Sequence, residues 1–192
     1  PLFTWVIAGF SKISADVTAW SARMPSALAG MGVVVLTYFI GRRFFPYPVP
    51  FIAGLIVCTN IIFYRSARTV QTDKLLLFYV LLAVEGVMRG QEQQGSVRKC
   101  LWITGGYAAG GLAMLTKGPV GLLLLGFILL SFTLTRRTWR DVPYWAHALG
   151  LAVSVVIYGS WSWQYLGPAG EAVAREVIVR ENWQRFFTAF DH

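Results

Sequence analysis

Long stretches without a charged side chain alternate along this chain with short basic turns. Runs of roughly 17 to 29 residues contain no Asp, Glu, Lys or Arg: 24–41, 44–64, 100–116, 118–135 and 142–170. At 1.5 Å of rise per residue, about 18 helical residues already cover most of a ~30 Å hydrocarbon layer. A sixth apolar stretch, 75–88, is broken only by Glu85 and starts in the polar loop before it. The pattern predicts an all-α fold, a polytopic transmembrane helical bundle of about six spans.

The basic residues between these runs sort into two sets. Turns holding Arg42-Arg43, Arg89 with Arg98-Lys99, and Arg136-Arg137 with Arg140 alternate with 65–74, Lys117 and the tail 167–192. The first set is dibasic and nearly free of acids, which reads as cytoplasmic; the second then faces away from the cytoplasm. Residues 1–20 become an outer interfacial segment, 21–166 the spans, and 167–192 an outer interfacial element. In that tail Pro168 suits a first helical turn. Val173, Val177 and Ile178, then Trp183, Phe186, Phe187 and Phe190, recur at helical spacing, with Arg175, Glu176, Arg180 and Glu181 between them. This predicts an amphipathic extracytoplasmic C-terminal helix with its aromatics at headgroup level.

Composition narrows the class further. The chain is 56% hydrophobic and only 14% charged, where a soluble domain carries about 25% charged residues. A net charge of +8 would suit a nucleic-acid partner only if the cations shared a patch with interleaved aromatics. They sit in turns instead, so the lipid bilayer is the expected partner and nucleic acid is not. Cys58 and Cys100 fall in or beside different spans and imply neither a disulfide nor a metal site, with Cys58 reading as a small buried apolar residue. Pro46, Pro48 and Pro50 cluster where a helix starts, a place that tolerates missing amide donors. Gly105, Gly106, Gly110 and Gly111 read as close helix–helix packing, not as a dinucleotide fingerprint, which needs a preceding strand. Pro1-Leu2-Phe3-Thr4-Trp5 has no initiator Met or charged leader, and no closing element precedes His192, so the chain reads as an internal piece of a longer polypeptide.

The candidate chemistry lies in two outer turns. Arg65-Ser66-Ala67-Arg68-Thr69-Val70-Gln71-Thr72-Asp73-Lys74 sets one carboxylate among three cations at a bilayer edge, where ionisable groups are costly and are kept for orientation or chemistry. Asp73 is either a helix N-terminal acid favoured by free backbone N–H groups and the dipole, or a carboxylate that orients a cation such as Arg68 or binds a substrate hydroxyl. Leu115-Thr116-Lys117-Gly118-Pro119 is the tightest outer turn. Its lysine either snorkels to headgroups or holds a specific phosphate, with Gly118 admitting a ligand close to the backbone. The order of a Walker loop is absent. Glu85 reads as a snorkelling or paired residue; His147 and Arg140, at the inner edge, receive no role.

Pro1-Leu2-Phe3-Thr4-Trp5, Ser21-Ala22-Arg23-Met24-Pro25-Ser26-Ala27-Leu28 and Gly41-Arg42-Arg43 resemble the second membrane-helix region of GT-C glycosyltransferases. The branch is the protein O-mannosyltransferase-like group that includes bacterial aminoarabinose transferases of lipid A. Arg68 with Asp73, the turn around Lys117, and Arg180-Glu181-Asn182 with Arg185-Phe186 follow in that family's order, so the resemblance covers nearly the whole chain. It implies transfer of a sugar from a polyprenyl-phosphate donor to a lipid or protein acceptor, on the extracytoplasmic face of the inner membrane, with inversion at the anomeric carbon. A carboxylate takes the acceptor hydroxyl proton, while cations, in some members with a divalent metal, stabilise the departing lipid phosphate. On this resemblance Lys117 is the donor-phosphate contact, Arg68, Arg185, Asn182 and Glu181 are further substrate-binding candidates, and Asp73 is a supporting carboxylate. The family's principal catalytic acid lies upstream of the Pro-Leu segment, so the chain alone is expected to be inactive. Asn182 stands where aminoarabinose transferases tend to carry a histidine, which counts against that acceptor and leaves a metal without that ligand. The rival class is a transporter or flippase of anionic or lipid-linked substrates, which would show an internal repeat or paired broken helices; the sequence shows neither. In a non-catalytic membrane scaffold, the third class, the outer polar residues would be dispensable.

Overall fold

The computed structural model describes residues 1–136 and 142–165. Among these residues every regular element is helical: α1 (Leu2–Ile13), α2 (Ala19–Gly41), α3 (Val49–Thr59), α4 (Ile61–Ala67), α5 (Asp73–Glu92), α6 (Ser96–Lys117), α7 (Val120–Arg136) and α8 (Tyr144–Tyr165). The expected C-terminal helix over 167–192 lies outside the described residues.

Local chemistry explains the helix boundaries. α2 starts at a reciprocal cap in which Thr18 Oγ1 accepts from Ser21 N–H and Ser21 Oγ accepts from Thr18 N–H, satisfying two amides that the helix leaves free. The proline cluster delays the next helix, so α3 begins at Val49 with Pro50 in its first turn. The apolar run 44–64, expected as one span, is not continuous. It is divided at Asn60, whose extended backbone ends α3 while its side chain accepts from Phe63 N–H to start α4, and the two pieces meet at a 63° bend. An Asn offers a helix start a cap that an aliphatic residue cannot, and hydropathy alone does not register it.

α5 and α6 form an antiparallel hairpin at the centre, with α2 beside α5 and with α7 and α8 packed on α6. Glycines set these approaches. A Cβ on Gly86 would stand 2.8 Å from Gly106 Cα, and one on Gly106 would stand 2.8 Å from the Ala83 carbonyl oxygen. Gly110 meets Leu125 of α7 and Gly111 meets Ser154 of α8, where Ser154 Oγ donates to the Tyr107 carbonyl at 2.5 Å. The main core of Ala83, Val84, Met88, Ala109 and Leu125 fills the space around these contacts. Phe3 of α1 packs separately with Ala29 and Leu75.

Glu85 is buried, at 5% exposure, and is paired as its setting requires. Arg43 donates to it through Nε at 3.0 Å and Nη2 at 2.7 Å, and Arg89 through Nε at 2.7 Å. Arg43 also pairs with Glu92, and the hydrogen bond to Glu85 raises its guanidinium above the ordinary range. The cluster ties the C-terminal end of α2 to that of α5.

Much of the outer surface is apolar. Leu123, Phe127, Leu130 and Leu134 form an exposed stripe on α7, and Leu28, Met31, Val35 and Phe39 another on α2. Cys58, expected to be buried, is exposed, because it lies on the outward face of α3 with Leu55. By length and apolarity one described helix, α2, is able to cross a membrane, or two spans if the bent α3–α4 pair counts as one. Charged residues dilute α5, and α7 has 17 residues.

Gly106→Leu is expected to destabilise by about 1–3 kcal/mol or more, because its side chain meets backbone. Glu85→Ala is expected to cost about 1–3 kcal/mol, because Arg43 and Arg89 lose the carboxylate they share while Arg43 keeps only Glu92. Thermal denaturation of the purified protein in detergent measures both.

Candidate functional site

The hairpin brings together two residues 44 positions apart. Asp73 opens α5 and Lys117 closes α6, and Lys117 Nζ donates to Asp73 Oδ1 at 2.5 Å. Both remain open to the surroundings, at 58% and 52% side-chain exposure for Asp73 and Lys117. Asp73 lies in the first turn of α5, where the helix dipole favours an acid, but no side-chain cap bond forms at this terminus. The carboxylate is directed to Lys117 instead of the helix amides.

Both partners are held by their backbones. Ser26 Oγ of α2 donates to the Gln71 carbonyl at 3.0 Å, which fixes the loop leading into Asp73. Past Lys117 the chain turns at Gly118, with φ 77° and ψ −161°, a conformation that is essentially open to glycine only. That turn sends the backbone into α7 and leaves the end of α6 beside Asp73.

The neighbouring cations take other partners. Arg68 donates through Nη1 to Tyr64 Oη at 2.7 Å and lies 5.3 Å from the centre of that ring. The structure therefore does not place Arg68 on Asp73; Lys117 holds that position. Lys74 sits 3.9 Å from the Phe63 ring centre. Tyr64 and Arg68 are four residues apart on the end of α4, a helical spacing that puts side chains side by side, so this pair was readable in the sequence. The Ser26 tether joins segments 45 residues apart and had no local signal. Glu181, Asn182 and Arg185 lie outside the described residues, and within the described residues no three of His, Cys, Asp and Glu come together as a metal set. Exposed and screened by solvent, the Asp73–Lys117 pair is held weakly.

The described residues define an all-helical bundle with an exposed carboxylate–lysine pair at one end, and comparison places the chain in a family. The model of the dolichyl-phosphate-mannose-protein mannosyltransferase family matches residues 1–163, and the chain belongs to that family. It is 26% identical over 161 residues to the putative mannosyltransferase YkcB of Bacillus subtilis, covering 84% of this chain and 22% of YkcB. It is 27% identical over 162 residues to the putative mannosyltransferase YycA of the same organism, covering 84% of this chain and 23% of YycA. Among solved structures it superposes on ArnT from Cupriavidus metallidurans bound to undecaprenyl phosphate, with a TM-score of 0.79 and 26% identity. That match covers 95% of this chain and 34% of the ArnT chain. The chain thus spans between a fifth and a third of the length of these proteins.

Because an exposed ion pair contributes at most about 1 kcal/mol, Lys117→Ala and Asp73→Asn should each leave thermal stability within about that margin. Melting curves of the two variants beside Gly106→Leu test this.

Proposed function

We propose that this chain is a membrane-embedded part of a GT-C glycosyltransferase that transfers a sugar from a polyprenyl-phosphate donor to a lipid or protein acceptor outside the cytoplasm. The observation that carries the proposal is the Asp73–Lys117 pair, a solvent-open carboxylate and ammonium at the bundle end opposite the buried Arg43–Glu85 cluster. Along α5, Asp73 and Glu92 are about 28 Å apart at the helical rise, close to a hydrocarbon thickness. Exposed aliphatic stripes between these two charged levels suit lipid, since soluble monomers rarely carry such patches. On this reading α2, the bent α3–α4 pair and α5 to α8 make six spans, and the basic turns at Arg42-Arg43 and Arg98-Lys99 face the cytoplasm. The Asp73–Lys117 end then faces outward.

In the reaction the bond between the anomeric carbon and the lipid phosphate breaks as the acceptor oxygen bonds to that carbon from the opposite face. Lys117 turns from Asp73 to the phosphate and stabilises its departing charge. Released from that pairing, Asp73 orients the acceptor hydroxyl, whose proton passes to a catalytic carboxylate supplied elsewhere in the longer protein. Arg68, Arg185, Asn182 and Glu181 are secondary substrate contacts in this scheme. The undecaprenyl phosphate bound to ArnT supports a polyprenyl-phosphate donor, as does the family itself. The bend at Asn60 is a feature of transporters, but within the described residues no second bent pair matches it, and a transporter needs corresponding broken helices in two halves.

In the full-length protein, Lys117→Ala and Asp73→Asn are each expected to lower sugar transfer by about 10²-fold, the scale of losing one charge-stabilising group, with membrane insertion unchanged. Transfer at the parent rate in both variants would remove the pair from the site. A cysteine placed next to Lys117 should react with a membrane-impermeant reagent from outside; labelling from the cytoplasmic side alone would reverse the topology.

A further inference from the structure

On the side of the bundle, α2, α5 and α6 enclose a groove of about 550 Å³ that no part of the proposed reaction uses. Its walls are Val35 and Phe39 of α2, Leu82 of α5, and Trp102 and Gly105 of α6, and all five are exposed. At Gly105 an added Cβ would meet nothing within 4 Å, so the groove is open there and not closed by a neighbouring helix. A volume of this size falls in the ~300–1,000 Å³ range of small-molecule sites, room for one hydrocarbon chain along the helices.

One end of the groove is charged. Arg89 is bound through Nε to Glu85, lies 5.1 Å from the Trp102 ring centre and keeps 38% of its side chain exposed. Its terminal nitrogens make no hydrogen bond within the described residues. Arg89 and Glu85 are the charged residues of the groove lining itself; at the same end of the bundle, beyond the lining, stand Arg42, Arg43 and Glu92 at the ends of α2 and α5 and Arg98 and Lys99 at the start of α6. Among the described residues this end of the bundle then holds five cations against two carboxylates; both carboxylates pair with Arg43, and Glu85 also with Arg89. The excess is positive, and Arg89 is the cation placed at the apolar walls.

We propose that this groove binds an anionic phospholipid of the cytoplasmic leaflet, one acyl chain lying against Val35, Phe39, Leu82 and Trp102 and the phosphate resting on Arg89. A small soluble anion would have no use for the apolar walls, and a neutral lipid would leave the charge excess unmatched. Basic pockets between membrane helices on the cytoplasmic side recognise anionic headgroups in this way. The inference rests on the membrane topology proposed above.

The full-length protein is reconstituted in phosphatidylcholine vesicles that contain a minor fraction of acyl-brominated phosphatidylglycerol, or the same fraction of acyl-brominated phosphatidylcholine. The Trp102 contribution to fluorescence quenching is the difference between parent and Trp102→Phe. Quenching of Trp102 several-fold stronger with the brominated phosphatidylglycerol is the expected result. Arg89→Gln should reduce that preference about fivefold, the effect of one cation at an anionic surface. Gly105→Leu, whose side chain enters open space, should reduce quenching by both lipids. Equal quenching by the two lipids, or an unchanged preference in Arg89→Gln, overturns the site. So does a silent Trp102 while the other tryptophans are quenched, since the groove is then covered by protein. If neither lipid quenches any tryptophan, the membrane topology itself fails, and the site with it.

Discussion

Everything described here depends on how closely two backbones approach. At Gly86 and Gly106 the axes of α5 and α6 come together at a separation that no Cβ would allow, and small residues are what permit such packing between apolar helices. This contact sets the register of the hairpin. Sliding α6 by one residue would move it 1.5 Å along its axis and turn it by about 100°, which would swing Lys117 away from Asp73. The same register lays Trp102 against Arg89. Both the exposed ion pair and the charged end of the side groove therefore follow from one glycine contact near the middle of the helices.

The two charged levels of the bundle serve opposite purposes because their burial differs. Glu85 is enclosed and takes three hydrogen bonds from two arginines, so removing either arginine leaves a buried carboxylate under-compensated. Such a cluster orders α2 against α5 and is poorly suited to exchanging partners. Asp73 and Lys117 are more than half exposed and hold each other weakly. A weak, open pair can give up its partner to a phosphate, whereas the buried cluster cannot. The contrast in strength makes the buried cluster structural and is the reason the open pair is the one proposed for chemistry.

Several features were legible in the residue pattern. Each long apolar run carries helix within the described residues, Gly106, Gly110 and Gly111 of α6 pack against α5, α7 and α8, and Glu85 is paired. The break at Asn60 was not legible, because one polar residue hardly alters the hydropathy of a run while its cap divides the helix. Cys58 was misplaced because apolar character signals burial only in a soluble core; on a lipid-suited surface it does not. Arg68 was one cation that Asp73 could have oriented, but its helical neighbour Tyr64 takes it.

The sequence by itself determined the helical class, the two alternating sets of basic turns and the family, since these depend on composition and order along the chain. It also marked Asp73 and Lys117 as residues of one face. Only the tertiary structure decided that they touch, because pairing across 44 residues depends on the register of a helix hairpin. That register comes from the close backbone approach at Gly86 and Gly106, to which periodicity is blind.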